Sequence, residues 1–206
     1  MQLDGQAMFV CQAPLILASG SPRRRFFLED LGLEFEVQGA EIDEQVLDLE
    51  TPVDYVSRLA LEKARAISQL HKQSWVLGAD TAVVLEGEIL GKPVDGAEAL
   101  EMLSSLAGRW HQVWTGFGLC HAGQEVERVR VVCTEVLFSG LAKQLAEAYV
   151  ASGEPMDKAG AYGIQGKGGV LVEEIKGSYT NVVGLPLNAV VSEMLQLGVI
   201  QVQSVG

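Results

Sequence analysis

Ser19-Gly20-Ser21-Pro22-Arg23-Arg24-Arg25 brings two hydroxyls and three guanidinium groups to the point where an apolar run, residues 15 to 18, gives way to a helix. A helix start offers free backbone N–H groups and the positive end of its dipole, and arginine grips phosphate oxygens in pairs. The cluster therefore has the chemistry of a triphosphate grip. A capped helix with solvated arginines explains the same residues equally well. It is not a Walker loop, because G-x-x-x-x-G-K-[ST] occurs nowhere in the chain.

Asp80 interrupts an otherwise apolar stretch, residues 75 to 85, where an unpartnered carboxylate would be costly to bury. At a strand end it serves as a general base or metal ligand, although a turn-forming Asp followed by Thr81 is the commoner explanation for a lone aspartate. Lys63 falls on the apolar stripe of a helix, in step with Val56, Leu59 and Ile67. It either snorkels to the edge or reaches into a cleft toward an anion. Lys92, between Gly91 and Pro93, is a phosphate ligand or a plain surface charge. Glu41, Asp43 and Glu44 form an acidic knot of the oxygens that Mg²⁺ and Mn²⁺ prefer, yet a solvated loop is the commoner use of such a knot. His71, His111 and His121 lack metal-site spacing and read as structural or exposed. The Gly-rich stretch from 153 to 169 fails the G-x-G-x-x-G pattern, and G-x-S-x-G is missing, which argues against Rossmann and serine-hydrolase readings.

The elements that must hold these residues are legible in outline. Residues 15 to 18 read as a buried strand, followed by a helix to about residue 31 with Ser21 as cap and Pro22 in its first turn. Thr51-Pro52-Val53-Asp54 opens one long amphipathic helix. Residues 75 to 79 predict a second buried strand, ending at Asp80-Thr81 before the apolar run resumes and turns at Glu86-Gly87. Asp95 and Glu98 open a helix that ends near Gly108. Strands follow at 113 to 119 and 126 to 138, then a helix at about 141 to 152, a strand at 170 to 175 and a last helix from about 186 to 197. Residues 1 to 12 read as a loose leader. Strands and helices intermix without strict βαβ order, which predicts an α/β fold built on a mixed sheet.

The chain has 206 residues, 48% of them hydrophobic, enough for one domain with a sizeable core. Its formal charge of −12 repels nucleic acid, so a phosphate ligand needs a local cluster of cations or a metal. Cys11, Cys120 and Cys133 are odd in number and lack C-x-x-C spacing, which predicts free thiols in a reducing compartment. Neither a signal-peptide charge pattern nor a stretch of about 20 apolar residues is present, so no membrane contact and a cytoplasmic location are expected.

Taken together, the segments resemble the Maf family of nucleotide pyrophosphatases. They are Leu17-Ala18-Ser19-Gly20-Ser21-Pro22-Arg23-Arg24, Glu41-Ile42-Asp43-Glu44, Tyr55-Val56-Ser57-Arg58-Leu59-Ala60 with Lys63-Ala64, Leu77-Gly78-Ala79-Asp80-Thr81 and Gly91-Lys92-Pro93. Further along come His111-Gln112-Val113 with Thr115-Gly116, Asp157-Lys158-Ala159-Gly160-Ala161-Tyr162-Gly163-Ile164-Gln165-Gly166, and Gly177-Ser178 with Asn181-Val182-Val183-Gly184-Leu185-Pro186. They run in order over roughly residues 15 to 197.

The resemblance implies a single domain over residues 1 to 206. Its mixed twisted sheet with flanking helices would form two lobes around a central cleft, related in shape to inosine triphosphate pyrophosphatases and often dimeric. It implies Asp80 as proton acceptor, Arg23, Thr81 and Gln165 as the positions that set substrate choice, and Ser19, Arg24, Glu44, Lys63 and Lys92 as the rest of the phosphate and metal site. Lys63 and Lys92 join Asp80 in catalysis, and Glu44 with Asp80 would hold Mg²⁺ or Mn²⁺. The form Ala161-Tyr162-Gly163-Ile164-Gln165-Gly166 is similar to the branch that hydrolyses dTTP and UTP, modified pyrimidine nucleotides included, to the monophosphate and pyrophosphate. The 7-methyl-GTP branch and a nucleotide-sensing regulator of cell division are the alternatives. One departure stands out: where the family usually carries an acid, two positions after its second arginine, this chain has Phe26.

Overall fold

The computed structural model describes residues 8–141 and 143–203. Strand β1 (Phe9–Cys11) precedes β2 (Leu15–Leu17), helix α1 (Pro22–Asp30) and the short β3 (Glu36–Val37). A loop leads to α2 (Pro52–Leu70), then to the hairpin of β4 (Trp75–Leu85) and β5 (Glu88–Leu90), and on to α3 (Gly96–Leu106). Two long strands follow, β6 (Trp110–His121) and β7 (Val126–Phe138), then α4 (Lys143–Ala151). Three 3₁₀ turns lead to β8 (Val172–Lys176), α5 (Tyr179–Val183), α6 (Leu187–Gln196) and β9 (Ile200–Val202).

Seven strands form one mixed sheet in the order β3-β2-β4-β6-β7-β8, with β5 on the free edge of β4. β2 lies parallel to β3 and β4, and the pairings from β4 through β8 are antiparallel. The long strands carry two cores in succession on one face. Along β4, Leu77 and Ala79 pack into the first core with α1 and α6, and Val83 and Leu85 into the second with α3 and α4. Side chains alternate along a strand, so Thr81 points to the same face and falls at the boundary between the cores. The two lobes are thus two ends of one sheet, with the cleft where their cores part.

α2 covers the other face. Thr51 caps it by accepting from Asp54 N at 3.2 Å, with Pro52 in the first turn. Its stripe of Val56, Ala60 and Ala64 rests on glycines. An added Cβ at Gly78 would lie 2.3 Å from the Ala60 carbonyl oxygen, and one at Gly116 2.3 Å from that of Val56. Backbone meets backbone here, and only glycine leaves the room.

Several elements depart from expectation. β4 is one unbroken strand through Asp80, because the carboxylate finds a partner beneath α2 and the ladder to β6 continues across it, Asp80 opposite Gly116. Part of the presumed leader is strand: β1 pairs antiparallel with β9 and buries Phe9, while residues 1 to 7 lie outside the described residues. Ser21 occupies the cap position of α1 but its hydroxyl makes no capping bond. Helix α4 begins at Lys143; Ala142, inside the expected helix, lies outside the described residues. The strand expected from residue 170 starts at Val172, after a 3₁₀ turn at Gly166–Leu171. β3, β5 and α5 are too short for a periodic signal.

Gly116→Ala is expected to destabilise the fold by about 3 kcal/mol in a urea titration, since the methyl group meets a fixed carbonyl. Gly140→Ala, with nothing within 4 Å of the added carbon, should leave the midpoint close to wild type.

Candidate active site

The cleft begins as a gap in the sheet edge. β2 pairs with β4 only as far as Leu77, and β5 joins the same edge only from Val83. Between them the backbone of β4 lacks a neighbouring strand, and the guanidinium of Arg24 fills the vacancy. Its Nη1 donates to the Ala79 carbonyl at 2.8 Å and to Ser19 Oγ at 2.9 Å, its Nε to the Gly184 carbonyl at 2.8 Å, and its Nη2 to Thr81 Oγ1 at 3.1 Å. Four of its donor positions are thus spent on the protein, in line with its 9% exposure, so at most one N–H is left for a ligand. Thr81 Oγ1 also lies 2.9 Å from Thr115 Oγ1, whose hydroxyl donates to the Asn181 carbonyl.

The cavity this gap opens into has a volume of about 570 Å³. On its α2 side stands a charge relay. Lys63 Nζ donates to Asp80 Oδ1 at 2.6 Å and to Glu44 Oε1 at 2.5 Å, and Lys92 Nζ stands 3.6 Å from Glu44 Oε2. Lys63 and Asp80 are both buried, each 8% exposed, whereas the Glu44 side chain is more open. Burial pushes the Glu44 carboxyl up, but the ammonium groups of Lys63 and Lys92 outweigh it and hold the group below the usual carboxylate range. The loop bearing Glu44 is tied to α2 by Tyr55, whose hydroxyl donates to the Glu44 carbonyl at 3.0 Å. Arg58 ties it again, gripping both oxygens of Glu50 and the Gln45 carbonyl.

Across the cleft lie Arg23, Asp157, Lys158 and Gln165. Arg23 Nη1 stands 3.9 Å from Asp157 Oδ2, and Lys158 Nζ donates to Asp157 Oδ1 at 2.6 Å, so one carboxylate links cations from the two lobes. Gln165 lines the cavity at the head of a 3₁₀ turn without capping it.

All of the expected site residues line one cavity: Ser19, Arg23, Arg24, Glu44, Lys63, Asp80, Thr81, Lys92 and Gln165. The structure redistributes their work. Arg25 turns outward to pair with Glu29, so the grip has two arginines rather than three. Phe26 is exposed on the outer face of α1 and is not part of the cavity lining. Of the acidic knot only Glu44 reaches the cleft; Glu41 and Asp43 stay exposed in solvent. His111 is buried with its Nε2 2.7 Å from the Tyr162 hydroxyl, and burial lowers its pKa to about 4. Tyr55, Asp157 and Lys158 line the cavity without having been singled out. The only signal for them is their position inside segments already notable as motifs.

Among the described residues no group of three or more His, Cys, Asp or Glu is arranged for a metal ion. Glu44 and Asp80 supply two carboxylates that share Lys63 through one oxygen each, with Lys92 3.6 Å from the second oxygen of Glu44. That sparse oxygen set fits Mg²⁺ or Mn²⁺, which commonly take one or two carboxylates and complete their shell with substrate phosphates and water.

The chain is similar to proteins of known family. The family model described as Maf-like protein matches residues 14–197. A dTTP/UTP pyrophosphatase of Desulfotalea psychrophila is 50% identical over 195 residues, covering 95% of this chain and 100% of that one. Another, from Symbiobacterium thermophilum, is 50% identical over 184 residues, covering 89% and 94% respectively. Among solved structures, a HAM1 protein from Coxiella burnetii aligns at 18% identity over 63% of this chain and 75% of its own, with a TM-score of 0.46.

Lys63→Met is expected to fold with reduced stability, because Asp80 and Glu44 lose the cation between them. In the wild type, Glu44 with its lowered pKa adds stability at neutral pH that is lost as pH falls through that pKa; the variant lacks much of this gain. The difference in unfolding free energy between the two proteins should therefore hold from neutral pH down to about 4.5, the ordinary value of the carboxyl, and shrink as the pH falls further. A deficit that grew on acidification would contradict the pairing.

Proposed function

This chain belongs to the Maf family, and from that membership together with its cleft we infer that it is a nucleoside triphosphate pyrophosphatase that hydrolyses dTTP and UTP to the monophosphate and pyrophosphate. The observation that carries the chemistry is Asp80, a carboxylate fixed in mid-strand, held by Lys63 through one oxygen and opening on a cavity lined by cations. Its second oxygen accepts a proton from water as that water attacks the α-phosphorus. The bond from the α-phosphorus to the bridging oxygen breaks, and pyrophosphate leaves with the bonding electrons. Lys63, Lys92 and Arg23 place positive charge around the phosphates, and Ser19 and the first turn of α1 add hydrogen-bond donors. Arg24 acts mainly by holding Ser19 and Thr81 in place. Mg²⁺ or Mn²⁺, held by Glu44 and Asp80, would neutralise phosphate charge and polarise the reacting phosphoryl group.

Base selection falls to Gln165 with Arg23 and Thr81 at the cleft wall. A side-chain amide pairs an acceptor and a donor with the N3–H and carbonyl edge of uracil and thymine, and cytosine lacks that N3–H. We place the enzyme in the cytoplasm, where the free thiols of Cys11, Cys120 and Cys133 stay reduced. Among the described residues no helix is long and apolar enough to cross a membrane. A single domain spans the chain in this reading, since β4 and β6 run through both lobes, and a homodimer without nucleic-acid partners is the proposed assembly.

A panel of dTTP, UTP, CTP and 7-methyl-GTP, scored for pyrophosphate with Mg²⁺ or Mn²⁺, tests the assignment. Turnover confined to 7-methyl-GTP moves the protein to the other branch, and binding without turnover makes it a nucleotide sensor. Asp80→Asn should still fold, because Lys63 keeps Glu44 as a partner, and should lower kcat by about a thousandfold. Gln165→Ala should lower kcat/KM for UTP and dTTP far more than for CTP; an equal loss on all three would assign Gln165 to loop or phosphate positioning.

A further inference from the structure

Gln165 sits at the cap position of the 3₁₀ turn Gly166–Leu171, from which a polar side chain can fold back onto the backbone N–H groups two and three residues ahead. Here it does not. Those N–H groups, on Lys167 and Gly168, donate instead to Glu154, at 3.1 Å to Oε2 and 3.1 Å to Oε1. Glu154 stands in a different segment, just after α4. Its Oε1 also accepts from the Tyr149 hydroxyl at 3.1 Å, and that hydroxyl in turn accepts from Gly163 N at 3.2 Å. Both sides of Gln165 are thereby pinned, one at Gly163 and the other at Lys167 and Gly168.

The glycines of the loop record how closely the clamp fits. A Cβ on Gly168 would lie 2.6 Å from the Tyr149 hydroxyl and 2.2 Å from the Gly163 carbonyl oxygen, and one on Gly166 3.1 Å from the Glu154 carboxylate. Tyr149 is buried in the second core, so the clamp is anchored to the lobe rather than to solvent. Acceptance of two backbone N–H groups lowers the Glu154 carboxyl against the opposing effect of burial, which keeps it ionised as the stronger acceptor.

We propose that Glu154, with Tyr149, is a positioning residue for base selection: by capping the turn from outside it frees the Gln165 side chain and fixes it toward the nucleobase. This rests on the reading of Gln165 given above. Without the clamp, Gln165 is free to cap its own turn, and the loop loses the geometry that distinguishes one pyrimidine edge from another.

The test compares the UTP:CTP ratio of kcat/KM in wild type, Glu154→Gln, Gln165→Ala and the double variant, each checked for folding by circular dichroism. Glu154→Gln keeps the volume and sets an amide NH₂ against a donor that a carboxylate oxygen had accepted. The expected result is a ratio narrowed by about tenfold in Glu154→Gln, with kcat on saturating UTP much less affected, and no further narrowing when the change is added to Gln165→Ala. If Glu154→Gln does not fold, Tyr149→Phe carries the same comparison. A narrowed ratio in Gln165→Ala but an unchanged one in the clamp variant overturns the positioning role alone. So does an equal loss on both substrates in the clamp variant, which marks a structural residue. An unchanged ratio in Gln165→Ala overturns the base-selection reading and this proposal with it.

Discussion

The site depends on how closely α2 lies against the sheet. Gly78 on β4 and Gly116 on β6 leave no side chain between the helix backbone and the strands; Ala60 and Ala64 face Gly78 from the helix, and Val56 faces Gly116. Gly116 is also the register partner of Asp80. The closest approach therefore falls beside the carboxylate, and Lys63, one turn beyond Ala60, arrives within 2.6 Å of it. Larger residues at the glycines would push α2 outward and leave a buried carboxylate without its cation, a far greater penalty than the entropy that glycine loses on folding.

A second constraint is the break in strand pairing along β4. A sheet edge that ends abruptly leaves backbone groups to be satisfied, and this protein satisfies them with the guanidinium of a helix that begins at the same place. Arg24 thereby stitches the end of β2, the middle of β4 and the Gly184 turn into one rigid wall. Behind that wall Asn181, fully buried, donates through its side-chain amide to the Val113 carbonyl and to Thr134 Oγ1, and its backbone carbonyl accepts from the Thr115 hydroxyl. Buried polar groups linked in this way give the cleft floor a single arrangement. A ligand then meets pre-set donors instead of donors it must first order.

The two walls differ in how they are held. The β4 wall is ladder and core, while the opposite wall is a series of 3₁₀ turns and glycines fastened by side chains: Glu154, Tyr149, Lys158 and Asp157. In the reading proposed above, the phosphates lie among Arg23, Lys63 and Lys92, which are carried by helices and by the loop after β5. Of the residues proposed to select the base, Gln165 belongs to the turns, whose backbone can be shaped residue by residue. The Glu44 loop forms a third, looser side, tied to α2 through Tyr55 and Arg58.

By itself the sequence determined the long elements and a set of candidate residues that share one cleft. Periodicity and caps place α2 and its Lys63, an apolar run places β4, and β7 falls on its expected bounds, because these signals are local and repeat over many residues. The motifs likewise marked Ser19, Arg23, Arg24, Glu44, Lys63, Asp80, Thr81, Lys92 and Gln165, all of which meet in the cleft. Only the tertiary structure decided which of the candidate groups open on the cavity and which serve their neighbours. Arg24 is spent on the Ala79 carbonyl, which the break in the sheet leaves open, and on the Gly184 carbonyl; Arg25 turns away to Glu29, and Glu41 and Asp43 stay outside. Asp80 continues its strand rather than ending it because a lysine seventeen residues earlier is its partner, and Glu154 caps a turn from across a loop. Each outcome turns on a contact between segments that periodicity does not relate. Burial and hydrogen-bond satisfaction are settled when the chain has closed on itself, after local pattern has had its say.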